Sequence, residues 1–319
     1  MMRAAAGAAV RPKVDVGVVT WNTAELTVTA LRRLIDADAG CDLRVLVRDN
    51  ASGDGTVAAL RAAVPEAEID AGDRNIGFAA GVNTLLRRSD APWFLALNSD
   101  AWPKPGAIAA LVGAAQRHPE AGLLVPRLVR PDGSLEHSTH PFPSLAVASM
   151  YALGGGRVVG ARIANRFLLE GAWLHDRPRE VDWAVGAAWL MRRAAIDEVG
   201  GLDERFFMYA EDLEWCWRAA AMGWKVWFEP DAEVVHVGNA SGEQRHAAMS
   251  ERTAAYLRNT YRFYRGAHGP VSTVAYRGLN LIAGVRLYAL FRLRREPATA
   301  AYWRSQWPVH VRAAGGYDG

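Results

Sequence analysis

A short acidic stretch, Leu97-Asn98-Ser99-Asp100, has the residue types that hold a divalent metal ion. It follows an apolar run, Trp93 to Leu97, that predicts a buried strand, and Pro103 and Pro105 end that strand. In open α/β sheets, ligands bind beyond the carboxyl ends of such strands. Carboxylate, amide and hydroxyl oxygens suit Mg²⁺ or Mn²⁺ carrying a diphosphate. The same residues are ordinary turn formers, so the prediction depends on what else converges on Asp100.

Polar clusters also follow the three apolar segments that precede this one along the chain. The clusters are Thr20-Trp21-Asn22, Asp49-Asn50 and Arg74-Asn75. Segments with helical periodicity separate the apolar runs, and this alternation predicts a parallel sheet with right-handed crossovers. The carboxyl ends of parallel strands meet at one edge of a sheet, so four clusters in step predict a nucleotide site there. The alternative is that they are only loop residues and helix caps.

The chain beyond residue 120 is less regular. Gly122 to Val129 predicts a strand followed by a turn, whereas Pro141 to Arg179 is rich in Ala, Gly and Arg and receives no predicted structure. The remaining predicted elements are a strand-like segment Val181–Met191, a helix Asp212–Met222, and short strands Trp224–Phe228 and Glu233–Val237.

The composition is that of a globular protein of 319 residues, half of them apolar and 22% charged. A net charge of +3 is too small to indicate a nucleic-acid partner. Cys41 and Cys216 lie far apart without CxxC spacing, which predicts buried, reduced thiols in a cytoplasmic protein and neither a disulfide framework nor a zinc site. Residues 1–12 lack a signal-peptide core and predict a disordered leader, and no uncharged apolar run could span a bilayer.

Eight motifs in order resemble the family 2 inverting glycosyltransferases of GT-A fold, in particular their rhamnosyltransferase-like branch. The motifs are Val18-Val19-Thr20-Trp21-Asn22; Asp49-Asn50-Ala51-Ser52 with Asp54-Gly55; Asn75-Ile76-Gly77-Phe78-Ala79-Ala80-Gly81-Val82-Asn83; Leu97-Asn98-Ser99-Asp100; Gly186-Ala187 with Arg192-Arg193; Gly201-Leu202-Asp203-Glu204-Arg205-Phe206-Phe207; Glu211-Asp212; and His236. They extend over about two thirds of the chain, and their order makes a chance match improbable.

The resemblance implies an α/β protein of GT-A fold, with a Rossmann-like, mainly parallel sheet flanked by helices and a C-terminal helical extension. The implied glycosyltransferase domain covers residues 13–240, with a nucleotide-sugar half (13–120) and an acceptor and catalytic half (121–240), and residues 241–319 form the extension. The implied activity is inverting transfer of a sugar from a nucleotide-sugar donor, with dTDP-rhamnose as the best guess. The acceptor would be a growing glycan, a lipid-linked saccharide or a small natural product.

The resemblance also assigns donor-binding residues. They are Thr20, Asn22, Asp49, Arg74, Asn75, Gly77, Gly81 and Asn98. A carboxylate at Asp49 can accept from a base N–H or a sugar hydroxyl. Gly77 and Gly81 let the backbone approach the ligand closely.

The implied metal ligands are Asp100 and His236. Asn98 and Asp100 stand at the family's D-x-D position, with Asn98 replacing the first acid, so Asp100 is the expected direct ligand of Mg²⁺ or Mn²⁺. His236 corresponds to the distal ligand of the metal or the diphosphate, although a loop histidine without such a role is the alternative. With one acid missing, we expect modest metal affinity that depends on the bound diphosphate.

Glu211-Asp212 stands at the position of the catalytic base. Inverting transfer is a single in-line displacement, so one carboxylate must remove the proton of the acceptor hydroxyl. Asp212 is the expected base, and Glu211 assists it or binds the acceptor. Alternatively, both acids simply stabilise the beginning of a helix. The aromatic approach from Phe206 to Tyr209 favours the base, because desolvation would raise a carboxylate pKa.

Trp183, Gly186 and Ala187 form the implied acceptor side. Trp183 could be a platform for a sugar ring or an ordinary core residue. In the extension, Arg245 to Tyr264 predicts a basic, aromatic helix, and Leu279 to Leu293 is apolar with Arg286 on the same side as two leucines. Peripheral contact at the inner face of the membrane and a helix that merely covers the domain remain equal alternatives.

Two other function classes are less well matched. A nucleotidyltransferase is expected to have a glycine-rich, Lys-containing phosphate loop after the first strand, and Thr20-Trp21-Asn22 is no such loop. A non-catalytic sugar or nucleotide binder would not need the intact Asp100, Asp212 and His236.

Overall fold

A computed structural model describes residues 11–37, 40–155, 161–167, 173–238 and 251–312. The predicted leader falls outside these ranges except for its last two residues, and so does the predicted helix start at Arg245.

The first half of the chain alternates strands and helices. In order these are β1 (Lys13–Thr20), α1 (Ala24–Asp36), β2 (Asp42–Asp49), α2 (Thr56–Ala63), β3 (Glu68–Ala71), α3 (Phe78–Leu86), β4 (Trp93–Asn98), β5 (Ala101–Pro103) and α4 (Ala107–Arg117). The four polar clusters predicted to follow strands do stand between a strand and the next element. Val-rich β1 and the fully apolar start of β4 explain why both lie inside the sheet.

The second half is more mixed. Its elements up to the end of the sheet are β6 (Ala121–Val129), β7 (Thr139–His140), α5 (Leu145–Leu153), α6 (Ala161–Arg166), β8 (Arg179–Val181), β9 (Trp183–Ala184), β10 (Ala188–Arg192), α7 (Arg193–Val199), α8 (Glu211–Ala221) and β11 (Lys225–His236). The chain then continues as α9 (Glu251–Leu293), α10 (Pro297–Ser305) and α11 (Trp307–Val311).

Within the described residues, nine strands form one sheet of order β3-β2-β1-β4-β10-β6-β11-β5, with β8 pairing to β11. Strands β1 to β4 run parallel to one another, as predicted, and β6 runs parallel to β11. The departure is β10, which lies antiparallel between β4 and β6.

Apolar side chains cover both faces of this sheet. Along β4, Phe94 and Ala96 belong to the core on one face, and Trp93, Leu95 and Leu97 belong to the core on the other. This alternation is the two-residue period of a strand, and it explains why the run is apolar throughout. The sheet therefore has apolar side chains packed on each of its faces.

Three sequence-based assignments need correction. The strand-like segment Val181–Met191 is two strands, β9 and β10, separated by a turn at Gly186. The strands predicted at Trp224–Phe228 and Glu233–Val237 are one strand, β11, with an irregular register between Glu229 and Glu233. Each error has the same cause, because hydrophobic alternation does not show where a strand bends or reverses.

The third correction concerns the C-terminal helix. The two predicted segments belong to one long element, α9, which is broken where Gly269 takes a left-handed φ of 79° before Pro270. Proline lacks an N–H and clashes with the preceding turn, so the helix restarts there in a new direction. We call residues 251–268 the first arm and 270–293 the second arm. Of the helices in the described ranges, none combines the length and the apolar character that crossing a membrane would require.

Candidate functional site

A cavity of about 400 Å³ opens at the carboxyl ends of β1 and β4. It brings together nine of the fifteen predicted site residues: Thr20, Asn75, Gly77, Asn98, Asp100, Gly186, Glu211, Asp212 and His236. The other six lie outside its lining: Asn22, Asp49, Arg74, Gly81, Trp183 and Ala187. Residues from both halves of the chain therefore meet at the sheet edge that the polar clusters mark.

The loops on one side of the cavity are bound to each other. Asn22 donates its backbone N–H to Ser52 Oγ at 2.8 Å, and its side-chain Oδ1 accepts from the backbone N–H of Gly53 at 2.8 Å. Asn50 Nδ2 donates to the carbonyl of Gly77 at 3.0 Å. Asn22 and Asn50 thus join the loops that follow β1, β2 and β3, which explains amides at these positions.

Asp49 is the last residue of β2, and one of its two carboxylate oxygens accepts no hydrogen bond from the described residues. Its side chain is buried, and Oδ2 accepts from the backbone N–H of Ser52 at 2.9 Å. Oδ1 has no hydrogen-bond partner among the described residues. A buried carboxylate oxygen without a donor is costly. Asp49 lies outside the lining of the cavity, so a ligand could supply the missing hydrogen bond only if the loop beside Asp49 shifted.

Gly77 connects these loops to the opposite side of the cavity, which Glu211 and Asp212 form. It has a left-handed φ of 86°, and a Cβ placed on it would lie 2.5 Å from the carbonyl oxygen of Phe207. The same carbonyl accepts from the backbone N–H of Phe78 at 2.8 Å. Only glycine permits this backbone contact. Gly81 has a different role, because a Cβ there would meet Val19 of β1 and not the cavity.

His236 stands between two carboxylates. Its Nδ1 lies 3.0 Å from Glu136 Oε2, and its Nε2 lies 3.3 Å from Asp100 Oδ1 and 3.4 Å from Asn98 Nδ2. Burial acts to lower the pKa of His236, but the hydrogen bonds to Asp100 and Glu136 outweigh it and raise the pKa to about 9.

The donor atoms at Asp100 and His236 suit a divalent ion. The 3.3 Å between Asp100 Oδ1 and His236 Nε2 is close to the roughly 3 Å between two ligands that share one octahedral ion. Glu136 occupies the other ring nitrogen, the arrangement that commonly orients a metal-binding histidine. In the described part of the chain, no group of three or more His, Cys, Asp or Glu side chains is arranged to hold a metal by itself. The pair would need further ligands from a bound molecule.

Glu211 and Asp212 begin α8, and both line the same cavity. Asp212 Oδ1 accepts from the backbone N–H of Leu213 at 2.8 Å, and Oδ2 accepts from that of Gly186 at 3.2 Å. Burial nevertheless raises the pKa of Asp212 to about 6. Burial and the charge of Asp212 raise the pKa of Glu211 well above its usual range. A carboxylate with a pKa near 6 is suited to general-base chemistry at neutral pH.

The backbone before this acidic pair is strained. Tyr209 and Ala210 are consecutive non-glycine residues with left-handed φ values of 73° and 71°. Each such conformation costs on the order of 1–3 kcal/mol and persists only when contacts with the surrounding structure offset that cost. Asn259, on the first arm of α9, donates Nδ2 to the carbonyl of Met208 at 2.9 Å and to that of Tyr209 at 3.2 Å. The C-terminal helix thereby supports the turn that presents Asp212.

The predicted acceptor residues separate into different environments. Gly186 touches Asp212, whereas Ala187 is buried and its carbonyl accepts from the backbone N–H of Asn98 at 2.9 Å. Trp183 is buried, donates Nε1 to the carbonyl of Pro141 at 3.0 Å and stacks on a histidine ring. Its environment is that of a core residue.

Arg74 is exposed and lines a second, more open depression of about 520 Å³ next to Asn75, which lines both. Arg87, Glu204 and Phe207 form its other side. Arg74 therefore lies beyond the rim of the main cavity.

Two residues that the sequence did not single out have clear positions at the site. Glu136 lines the cavity and bonds His236 across 100 positions of sequence, and Asn259 supports Tyr209 across 50. A lone acid in a loop gives no local signal. A single amide on a predicted helix gives none either.

Comparison with known proteins places this chain in one family. The model of the family "Glycosyl transferase family 2" matches residues 15–200. An N-acetylglucosaminyl-diphospho-decaprenol L-rhamnosyltransferase of Mycobacterium tuberculosis is 34% identical over 235 residues, covering 70% of this chain and 75% of that protein. A pre-mycofactocin glycosyltransferase of the same organism is 31% identical over 216 residues, covering 65% of this chain and 40% of that protein.

Solved structures agree on the fold. A mannosyltransferase of Pyrobaculum calidifontis, in complex with GDP-Man and Mn²⁺, aligns with a TM-score of 0.57 at 19% identity and covers 95% of this chain and 85% of that one. GalNAc-T7, with UDP, GalNAc and Mn²⁺, aligns with a TM-score of 0.54 at 12% identity, covering 90% of this chain and 59% of that one. The predicted GT-A fold and enzyme class are confirmed. The chain belongs to glycosyl transferase family 2.

Proposed function

We propose that this glycosyltransferase moves a sugar from a nucleotide donor to a hydroxyl group by a single displacement with inversion. One observation carries the proposal: Asp212, with a pKa of about 6, lines the same cavity as the Asp100–His236 pair. A base and a pair of ligands for a charged leaving group are the two requirements of such a displacement.

The donor side would bind the nucleotide at the end of β2. Asp49 Oδ1 is buried without a partner among the described residues, and after a shift of the loop beside it a base N–H or a ribose hydroxyl would supply the missing hydrogen bond. We infer dTDP-rhamnose as the donor, because an L-rhamnosyltransferase is among the relatives that match most of the chain. Asn75 and the backbone near Gly77 line the wall beside it.

Asp100 and His236 would hold a Mg²⁺ or Mn²⁺ ion, with diphosphate oxygens completing its ligands. The ion, when bound, would neutralise the charge that develops on the departing nucleoside diphosphate. Because His236 must lose its Nε2 proton to act as a ligand, metal affinity should fall as the pH falls. Glu136 would keep the imidazole oriented by its hydrogen bond to Nδ1.

Asp212 would remove the proton of the acceptor hydroxyl as the bond to the anomeric carbon forms. The backbone N–H groups of Gly186 and Leu213 fix its carboxylate. Glu211, whose pKa is raised well above the usual range, would remain protonated and donate a hydrogen bond to the acceptor. A sugar on a polyprenyl diphosphate is the acceptor that we infer, since the relative's name gives such an acceptor.

The test is transfer from dTDP-rhamnose to a short-chain polyprenyl-diphospho-N-acetylglucosamine with Mn²⁺, read as product and as released dTDP. Asp212→Asn is expected to abolish transfer while leaving nucleotide binding intact. Asp197→Asn is the matched control, because Asp197 is an exposed acid on α7. Undiminished turnover in Asp212→Asn would refute the assigned base. Saturable nucleotide binding without released dTDP, across a panel of donors, would indicate a non-catalytic binder.

A further inference from the structure

The second arm of α9 presents an uncharged apolar stripe to solvent. Val271, Val274, Ile282 and Val285 have exposures of 83%, 72%, 57% and 43%, and exposed Ala289 continues the line. Their spacing places them on one face of the helix, and every exposed residue of the arm from 271 to 289 is uncharged. The stripe is about 27 Å long at the helical rise per residue. Exposed apolar surface of this extent usually marks an interaction site.

The two charged residues within the length of the stripe, Arg277 and Arg286, turn away from it. Arg277 donates to the carbonyls of Val309 and His310 on α11, and Arg286 donates to the carbonyl of Tyr151 on α5. Both side chains are partly buried in these contacts. Arg286 shares the partly buried side of the arm with Leu279 and Leu290, the two leucines expected beside it, and its contact with α5 keeps it off the exposed stripe.

The C-terminal helices carry many arginines and almost no balancing acid. Residues 253–312 contain ten arginines and one carboxylate, Glu296, although the whole chain carries a net charge of only +3. Arg292, Arg294 and Arg295 are exposed directly beyond the end of the stripe. Basic side chains next to an apolar helix face complement anionic lipid headgroups above acyl chains. The same arginines disfavour a second copy of this chain as the occupant, because two such surfaces would repel.

We propose that the exposed stripe lies on an anionic lipid surface, with Val271, Val274, Ile282 and Val285 in the headgroup–acyl boundary and the three arginines on lipid phosphates. The contact is peripheral. The contact would bring the enzyme close to a lipid-linked acceptor, and this consequence rests on the proposed function. The contact itself does not depend on the proposed function.

Vesicle flotation of the full chain, without substrates, tests the contact. We expect binding to phosphatidylcholine vesicles with about one third phosphatidylglycerol, weak binding to pure phosphatidylcholine, and loss of binding as salt is raised. Ile282→Glu should reduce partitioning at least about tenfold, since it places a charge in the boundary region. Ile35→Glu is the matched control: Ile35 is an isoleucine with 36% exposure on α1, and its variant should bind as the wild type does.

Val274→Glu is a second variant in case Ile282→Glu does not fold, as judged by thermal unfolding. Replacing Arg292, Arg294 and Arg295 with Gln should remove the preference for anionic vesicles. Equal binding by the stripe variants and Ile35→Glu, or no binding by the wild type, would overturn the proposal. So would a wild-type dimer that Ile282→Glu dissociates without altering vesicle binding. Because transfer to a soluble acceptor is measured separately, failure here leaves the proposed function untouched.

Discussion

We call the loops after β1, β2 and β3 the proposed donor side of the cavity, and the turn that leads into Glu211 and Asp212 its proposed catalytic side. The two sides are held in place by different means. On the donor side, Asn22 and Asn50 bond loops that follow neighbouring parallel strands, so the sheet edge itself builds the wall. On the catalytic side, two left-handed residues precede Glu211, and Asn259 supports their backbone from a helix outside the sheet. The comparison indicates a preformed donor site and a catalytic turn that depends on remote support.

The contact between Gly77 and Phe207 connects the two sides, so Gly77→Ala should have the largest effect. The added Cβ would meet the Phe207 carbonyl at 2.5 Å in a backbone conformation that alanine disfavours. We expect a loss of about 2–4 kcal/mol in the free energy of unfolding and weakening of both nucleotide binding and turnover. Chemical denaturation and nucleotide titration would measure these effects.

Gly106→Ala is the control for Gly77→Ala. Gly106 has a φ of 79°, but a Cβ added there would meet nothing within 4 Å, so only the backbone strain remains. Its variant should lose about 1 kcal/mol and keep full activity. Equal destabilisation of the two variants would mean that the contact with Phe207 contributes little.

The proposed metal pair, Asp100 and His236, is supported by Glu136. Glu136→Gln should weaken Mn²⁺ binding in the presence of dTDP by about 10–100-fold, because His236 loses the carboxylate that orients it. Titration followed by electron paramagnetic resonance measures free Mn²⁺ directly. Glu120→Gln, at an exposed acid outside the cavity, is the control. Unchanged Mn²⁺ affinity in Glu136→Gln would contradict the assignment of His236 as a ligand.

Asn259→Ala should separate the two sides of the cavity. Without its hydrogen bonds to Met208 and Tyr209, the turn before Asp212 loses support, and we expect kcat to fall about tenfold. Nucleotide affinity should not change, because the hydrogen bonds of Asn259 go to the catalytic turn and not to the donor loops. Gln116→Ala removes an exposed amide on α4, outside the cavity, and should behave as the wild type. A parallel loss of nucleotide affinity would break the distinction between the two sides.

The donor side was predictable from sequence because its signals are local. Strands and helices alternate with short polar ends, so the periodicity of the sequence alone places the loops after β1, β2 and β4 at one sheet edge. The catalytic acids were predictable only through the resemblance. The resemblance assigned Gly81 to the donor site and Trp183 to the acceptor side, yet the structure places both in packing contacts away from the cavity.

The support of the catalytic side could not be predicted in this way. Glu136 and Asn259 reach partners 100 and 50 positions away, and such distances leave no periodic or spacing signal. The antiparallel direction of β10 and the helices within 141–179 were missed for different reasons. An apolar run does not show in which direction its strand runs, and an Ala- and Gly-rich composition hides the helical period.

The pH dependence of turnover provides a smaller test of the catalytic side. A base acts only when deprotonated, and burial raises the pKa of Asp212 to about 6. We therefore expect kcat to be constant above about pH 7 and to fall up to tenfold per pH unit below about 6. Nucleotide affinity measured without metal over the same range should vary less. An acid limb centred near pH 4 would contradict the desolvation of Asp212.

The smallest expected effect is a gain of stability when the base is removed. The pKa of Asp212 rises from 3.8 to about 6 on folding, so the protonated acid is tolerated below pH 4 and stability is lost as the pH rises towards 6. At pH 7, Asp212→Asn should raise the free energy of unfolding by about 1–3 kcal/mol, and near pH 4 the gain should vanish. Asp197→Asn, at an exposed site, should show no such gain. A gain that is the same at both pH values would have to come from packing and not from charge. The buried charge of Asp212 would then not destabilise the catalytic turn, and this difference from the donor side would be lost.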